Sequence, residues 1–177
     1  QRRKRSLRRR LLWVLLPLLL VALLANWKPL ILPLVIVSVL VAVFAGPRKR
    51  QPADFQGRTL IGHHFAGQDL AQARFDRATL QEANLQRADL RGAQFAGADL
   101  RDAELTEADL TEANLATARL IGARLDGAQL VQATLARADV RSASLREADL
   151  TRADLASSRC QHADFTAATL REAKLAG

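Results

Sequence analysis

From Phe55 onward every fifth residue is Leu or Phe as far as Leu175, except at Val140 and Cys160. Two positions earlier alanine recurs, from Ala73 to Ala173, with Ser158 the one departure. A period of five suits neither regular element. On an α-helix each step of five turns about 140°, so the leucines would spiral round the axis and make no stripe. On a continuous strand an odd period sends successive leucines to opposite faces. The apolar residues can share one core only if the chain bends once per quintet, turning each central Leu and its preceding Ala inward. That is a coiled β-solenoid, with Gly, Asp, Asn, Thr and Ser expected at the corners.

Asp or Asn often stands between the two apolar positions, as in Ala83-Asn84-Leu85, Ala88-Asp89-Leu90, Ala108-Asp109-Leu110 and Ala113-Asn114-Leu115. With these segments the sequence resembles the pentapeptide repeat family, whose pattern is Ala-(Asp/Asn)-Leu-x-x. The match covers residues 53–177, about 25 repeats. The resemblance implies a right-handed quadrilateral β-helix with four repeats per coil, hence about six coils and a rod roughly 30 Å long at about 4.8 Å per coil. Stacked columns follow by steps of one coil, for example Leu70, Leu90, Leu110, Leu130, Leu150 and Leu170.

The pattern degenerates at its start. Arg58, His63 and Gln68 hold inward positions where Ala belongs. A large polar side chain inside would be costly. Residues 53–72 are therefore expected to form an opened capping coil that shields the core. Phe55, Phe65 and Phe75 are expected to fill space there, and Phe165 at the far end.

Charge divides the chain. Gln1–Ala53 contains eleven Lys and Arg and no acid, whereas the remainder sets fifteen bases against eighteen acids, a net −3. The high isoelectric point thus belongs to the N-terminus, which excludes a generally basic nucleic-acid binder. Leu11–Ala45 is almost wholly apolar. It is too long for one span of about 20 residues and short for two. Ala25-Asn26-Trp27-Lys28-Pro29 breaks it with turn formers. The expectation is an all-β solenoid preceded by a transmembrane helical hairpin: a basic arm at 1–10, two short membrane helices within 11–45 turning at 25–29, a linker at 46–52 and the repeat domain at 53–177.

The basic clusters at both outer ends put both in the cytoplasm, since a single span would send one across. Trp13 and Trp27 would mark the interfaces. Arg8, Arg9, Arg10, Arg48, Lys49 and Arg50 would attract anionic lipid, at about 1 kcal/mol per charge. Localisation at a bacterial inner membrane follows, with the repeat domain on the cytoplasmic side and close to the surface. Three other readings stay open: a signal peptide cleaved after Ala25, for which Leu23 is a poor fit; a re-entrant wedge; and a basic tail or nucleic-acid arm.

Chemistry-bearing groups are sparse. One Cys excludes a disulfide framework. His63 and His64 would point to opposite sides of a strand, His162 is isolated, and Cys160 replaces a core Leu, where it would behave as a small buried hydrophobe. No nucleophile elbow accompanies any Ser-His-Asp set. No catalytic residue, metal or cofactor is expected.

Two surface features remain. Asp99, Asp102, Glu104, Glu107, Asp109 and Glu112 against Arg101 alone make an acidic band that a basic partner could use, or a solvated set whose Asp residues bond corner backbone. Ala96, Ala116, Ala136, Ala156 and Ala176 form a column suited to packing on another sheet, so the expected partners are an unidentified protein and the lipid membrane, with homo-oligomers compatible and nucleic acid not expected. The function that follows is a membrane-tethered, non-enzymatic scaffold for protein–protein interaction. The resemblance also brings an alternative, DNA mimicry directed at DNA gyrase. A 30 Å mimic would need about 18 negative charges, which a net of −3 does not approach.

Overall fold

The computed structural model describes residues 51–176. The predicted basic arm, membrane hairpin, both tryptophans and Arg8, Arg9, Arg10, Arg48, Lys49 and Arg50 lie outside the described residues. Among the described residues no helix is long and apolar enough to cross a membrane. A unit boundary falls after Arg50, close to the predicted start of the repeats.

Each residue just before a central apolar position makes a parallel β-bridge to the residue twenty positions on, from Asp54 with Arg74 to Asp154 with Lys174. The period of twenty makes four quintets per coil, as the family resemblance implies. Four flat faces run along the solenoid. The first has Phe75, Phe95, Leu115 and Leu135 at its centres, the second Leu80 to Val140, the third Leu85 to Leu145, and the fourth Leu90 to Leu150.

The quintet Leu110–Asn114 shows why five residues close one side. Leu110 donates its N–H to the Gln129 carbonyl at 2.7 Å, and Glu112 to Val131 at 2.9 Å. Asn114 donates back to Ala93 at 2.9 Å. The Ala113 N–H closes the corner on the Leu110 carbonyl at 2.9 Å. Only the Thr111 N–H lacks a backbone acceptor, and the Asp109 carboxylate takes it at 3.0 Å. This is the reason for Asp or Asn before the central Leu: backbone donors must be satisfied. Eleven such carboxylates or amides accept the N–H two residues on, including those of Asp54, Asn84, Asn114 and Asp164.

The corners differ in part from expectation. The second residue after each centre has positive φ at every corner from Gly57 to Glu172, the signature of a type II turn. Seven of these are Gly, but Arg occupies 77, 87, 137 and 152, and Glu occupies 82, 107, 112, 147 and 172. A left-handed non-glycine residue costs about 1–2 kcal/mol. Burying the adjacent central Leu contributes about 1.5–3 kcal/mol, and the inter-coil bonds on both sides of the corner hold it in place. At Gly122 an added Cβ would meet the Asp102 carboxylate of the preceding coil, the end of an exposed side chain that would have to swing aside.

The core is the predicted pair of columns. Every central residue from Phe75 to Leu150 and every inward Ala, at steps of five from Ala73 to Ala153, is buried, and no charged or polar residue is buried among the described ones. The ends behave differently. Phe55 stacks on Phe75 and Phe75 on Phe95, each at 4.8 Å, while Phe65 meets Phe55 and Phe75 edge-on, so the rings plug the N-terminal end. Arg58, His63 and Gln68 are exposed there; the end coil lets them leave the interior. At the far end Phe165 is half-buried and packs against the core, while Leu170 is 37% exposed. Cys160 is also only half-buried, not enclosed, because it stands in this last coil.

Candidate functional site

The first face carries the alanine column. Ala96, Ala116, Ala136 and Ala156 are half-buried and align at one-coil steps; Ala176 is exposed. The outward residues beside them are Gln94, Asn114 and Thr134, so this face bears no charge from Gln94 to Ala136. Its polar atoms are engaged within the face. Asn114 donates to the Gln94 side-chain oxygen at 3.2 Å, Gln94 donates to the Gly92 carbonyl at 2.8 Å, and Asn114 accepts from the Ala116 N–H at 3.1 Å. A surface whose hydrogen bonds are already made loses little on desolvation.

The six acidic residues are not brought together. Asp99 and Asp102 lie on the second face and its corner, Glu104 and Glu107 on the third, Asp109 and Glu112 on the fourth. Four are paired with arginines of adjoining coils: Glu104 with Arg124 at 3.1 Å, Glu107 with Arg87 at 2.7 Å, Asp109 with Arg91 at 3.7 Å, and Asp99 with Arg119 at 3.5 Å as well as with Arg101 of its own coil at 2.8 Å. Sequence windows miss this because the partners stand one coil away.

A shorter signal was legible but unused. Where Arg follows the central residue and Asp precedes it, the two meet across it: Asp89 with Arg91 at 2.5 Å and Asp139 with Arg141 at 2.7 Å. Hydrogen bonds from Arg91 and Arg141 hold these two carboxyls below the usual carboxylate range. At Asp99 burial acts in the opposite sense, but hydrogen bonds from Arg101 and Gln81 outweigh it and the result is again downward. On the second face Asp99, Arg119, Asp139 and Arg159 alternate along one column, and Arg101 and Arg141 lock into it.

The remaining candidates stay apart. His63 packs on Phe65 with ring centres 5.4 Å apart, and among the described residues no group of His, Cys, Asp and Glu is placed to hold a metal ion. The Cys160 sulfur lies 3.2 Å from the Ser158 hydroxyl. A surface recess of about 300 Å³ is lined by Thr106, Glu107, Asp126, Gly127, Arg146 and Glu147. No nucleophile and base meet within it.

The family pattern for pentapeptide repeats (8 copies) matches residues 53–87, 79–116, 98–135, 113–152 and 148–177. Among solved structures the chain is similar to the pentapeptide repeat protein Rfr23 from the cyanobacterium Cyanothece 51142, at 25% identity and a TM-score of 0.51, over 70% of this chain and 88% of that one. It is also similar to alr5209, a pentapeptide repeat protein from Nostoc PCC 7120, at 28% identity and a TM-score of 0.43, over 64% and 78% of the two chains. QnrB1, a plasmid-mediated fluoroquinolone resistance protein, matches at 20% identity and a TM-score of 0.38, over 70% and 72%. No curated protein matches the sequence. With five overlapping matches running from Ala53 to the last residue, and bridges at every fifth position between residues twenty apart, the chain belongs to the pentapeptide repeat family, and its described part is a right-handed β-helix solenoid.

Proposed function

We propose that this protein is a membrane-tethered, non-enzymatic scaffold that presents its first face to a protein partner at the cytoplasmic surface of the membrane. The observation that carries the reading is the uncharged strip from Gln94 to Ala136, flat because its outward corners are alanines, with its side-chain amides hydrogen-bonded within the face. The other faces carry interlocked ion pairs whose removal from water would be costly. The apolar run at 11–45 between basic flanks supports the tether. A filled core offers no enclosed cavity for a small substrate, in keeping with a binding role.

Gyrase-directed DNA mimicry is disfavoured by the same surface. Arginines pair with acids on three faces, and the repeat domain nets −3, where a mimic of this length would want about 18 negatives.

The test is a photo-crosslinking residue placed at Ala116 in the full chain in its membrane, with Thr106 on the third face as the control position. A discrete adduct is expected from position 116 and not from 106. Equal yields from both, or none from 116, would remove the first face as the contact. Supercoiling inhibition by the full chain at micromolar concentration would favour mimicry instead.

A further inference from the structure

We infer that the first coil, residues 53–72, is a lipid-contacting end surface that rests against anionic headgroups through Arg58, Ile61 and His63. This inference rests on the membrane tether proposed above and adds the orientation of the rod.

Four observations converge on this coil. Arg58, His63 and Gln68 are the three large polar residues in the inward alanine series, and all three are exposed at this end. They are not needed to close the core, because the stacked phenylalanines already do so: Leu60, Phe65 and Leu70 are each at most 7% exposed. Ile61 is 53% exposed, one of three large apolar residues on the described surface and the one at this end. Its corner continues into Gly62, which is bonded to the next coil through its N–H and the Gln81 carbonyl at 2.8 Å but has no atom within 4 Å of an added Cβ, so its outer side is open.

The length of chain preceding the coil supplies the occupant. Seven residues, Gly46–Pro52, separate the apolar run from Ala53; even fully extended they reach only about 25 Å. Arg48, Lys49 and Arg50 lie within them. Asp54 is drawn to Arg74 at 3.5 Å, and among the described residues neither Asp69 nor Arg58 makes an ion pair. A protruding isoleucine flanked by basic and amphipathic side chains fits the boundary between headgroups and acyl chains.

The experiment uses the full chain in vesicles containing anionic lipid, with Cys160→Val to remove the native thiol. A fluorophore is attached at Ile61→Cys or, five coils along the same face, at Gln161→Cys. Headgroup-bound quencher is expected to reduce emission several-fold more at 61 than at 161, and Arg58→Glu is expected to abolish the difference. If the chain floats with vesicles but both probes respond equally to an aqueous quencher, the tether stands and the end contact is overturned. If the chain does not float, the membrane reading falls and takes this inference with it.

Discussion

At the scale of single residues, the hydrogen-bond account explains which side chain stands where. The residue before each centre decides whether one backbone N–H per quintet is satisfied by protein. Asp149 accepts from both the Thr151 N–H at 2.9 Å and its hydroxyl at 2.6 Å. Asp149→Ala should lower stability by about 1 kcal/mol, measured as a shift in the urea midpoint with an unchanged slope. Thr134, which does not play this role, should tolerate Ala within about 0.5 kcal/mol.

The same carboxylates set the response to acid. Asp89, Asp139 and Glu107 are held low chiefly by hydrogen bonds from Arg91, Arg141 and Arg87. A depressed folded-state pKa means the stabilisation is complete above the unfolded carboxylate pKa of about 4 and is lost as pH falls through the folded value. The melting temperature should therefore be flat from pH 7 to about 4.5 and fall below about 4. These groups are largely exposed, so screening keeps each contribution small, and 1 M salt should shrink the acid-side slope. A melting temperature that rises on acidification would contradict the pairing.

At the scale of the element, one coil is both the repeating unit and the unit of stability. Leu110 is fully buried and Leu170, in the same column, is 37% exposed. Leu110→Ala should cost about 2–5 kcal/mol, while Leu170→Ala should cost less than about 1 kcal/mol. Leu110→Asp should open the middle of the rod to limited proteolysis. Equal effects at the two positions would sink the column assignment. The period of five, the inward Ala and Leu and the capping role of the first coil were legible because each is written along the chain at fixed spacing. The ion pairs between Arg124 and Glu104, or Arg87 and Glu107, were not. They depend on which residues stack at a separation of twenty, and that number came from the family resemblance, not from the repeat itself.

At the scale of the molecule, faces matter more than residues. Ala116→Arg with Ala136→Arg should abolish partner capture while changing stability by no more than about 0.5 kcal/mol per site, checked by crosslink yield from a probe at Ala96 and thermal melting in parallel. Deleting residues 113–132, one full coil, should preserve every face and shorten the rod by about 4.8 Å. Deleting only 113–117 should keep a filled core but rotate all later residues by one face, bringing Ala136 out of line with Ala96 and breaking the arginine pairs across the junction. Circular dichroism should be alike for the two deletions, and crosslinking from a photo-crosslinking residue moved to Ala96, which both deletions retain, should survive only the first.

The amino-acid sequence by itself determined that the chain must bend every five residues, that Ala and Leu face inward, and that a basic, apolar N-terminus precedes a domain of nearly balanced charge. Those are consequences of local spacing and composition. Only the tertiary structure decided that arginines stacked one coil apart neutralise most of the acidic band, that corners accept Arg and Glu in a left-handed conformation, and that Cys160 and Phe165 sit in a last coil which leaves them half-covered. The reason is that side-chain pairing and burial depend on the neighbour twenty residues away, and inter-coil bonding can override the preference of any single corner residue.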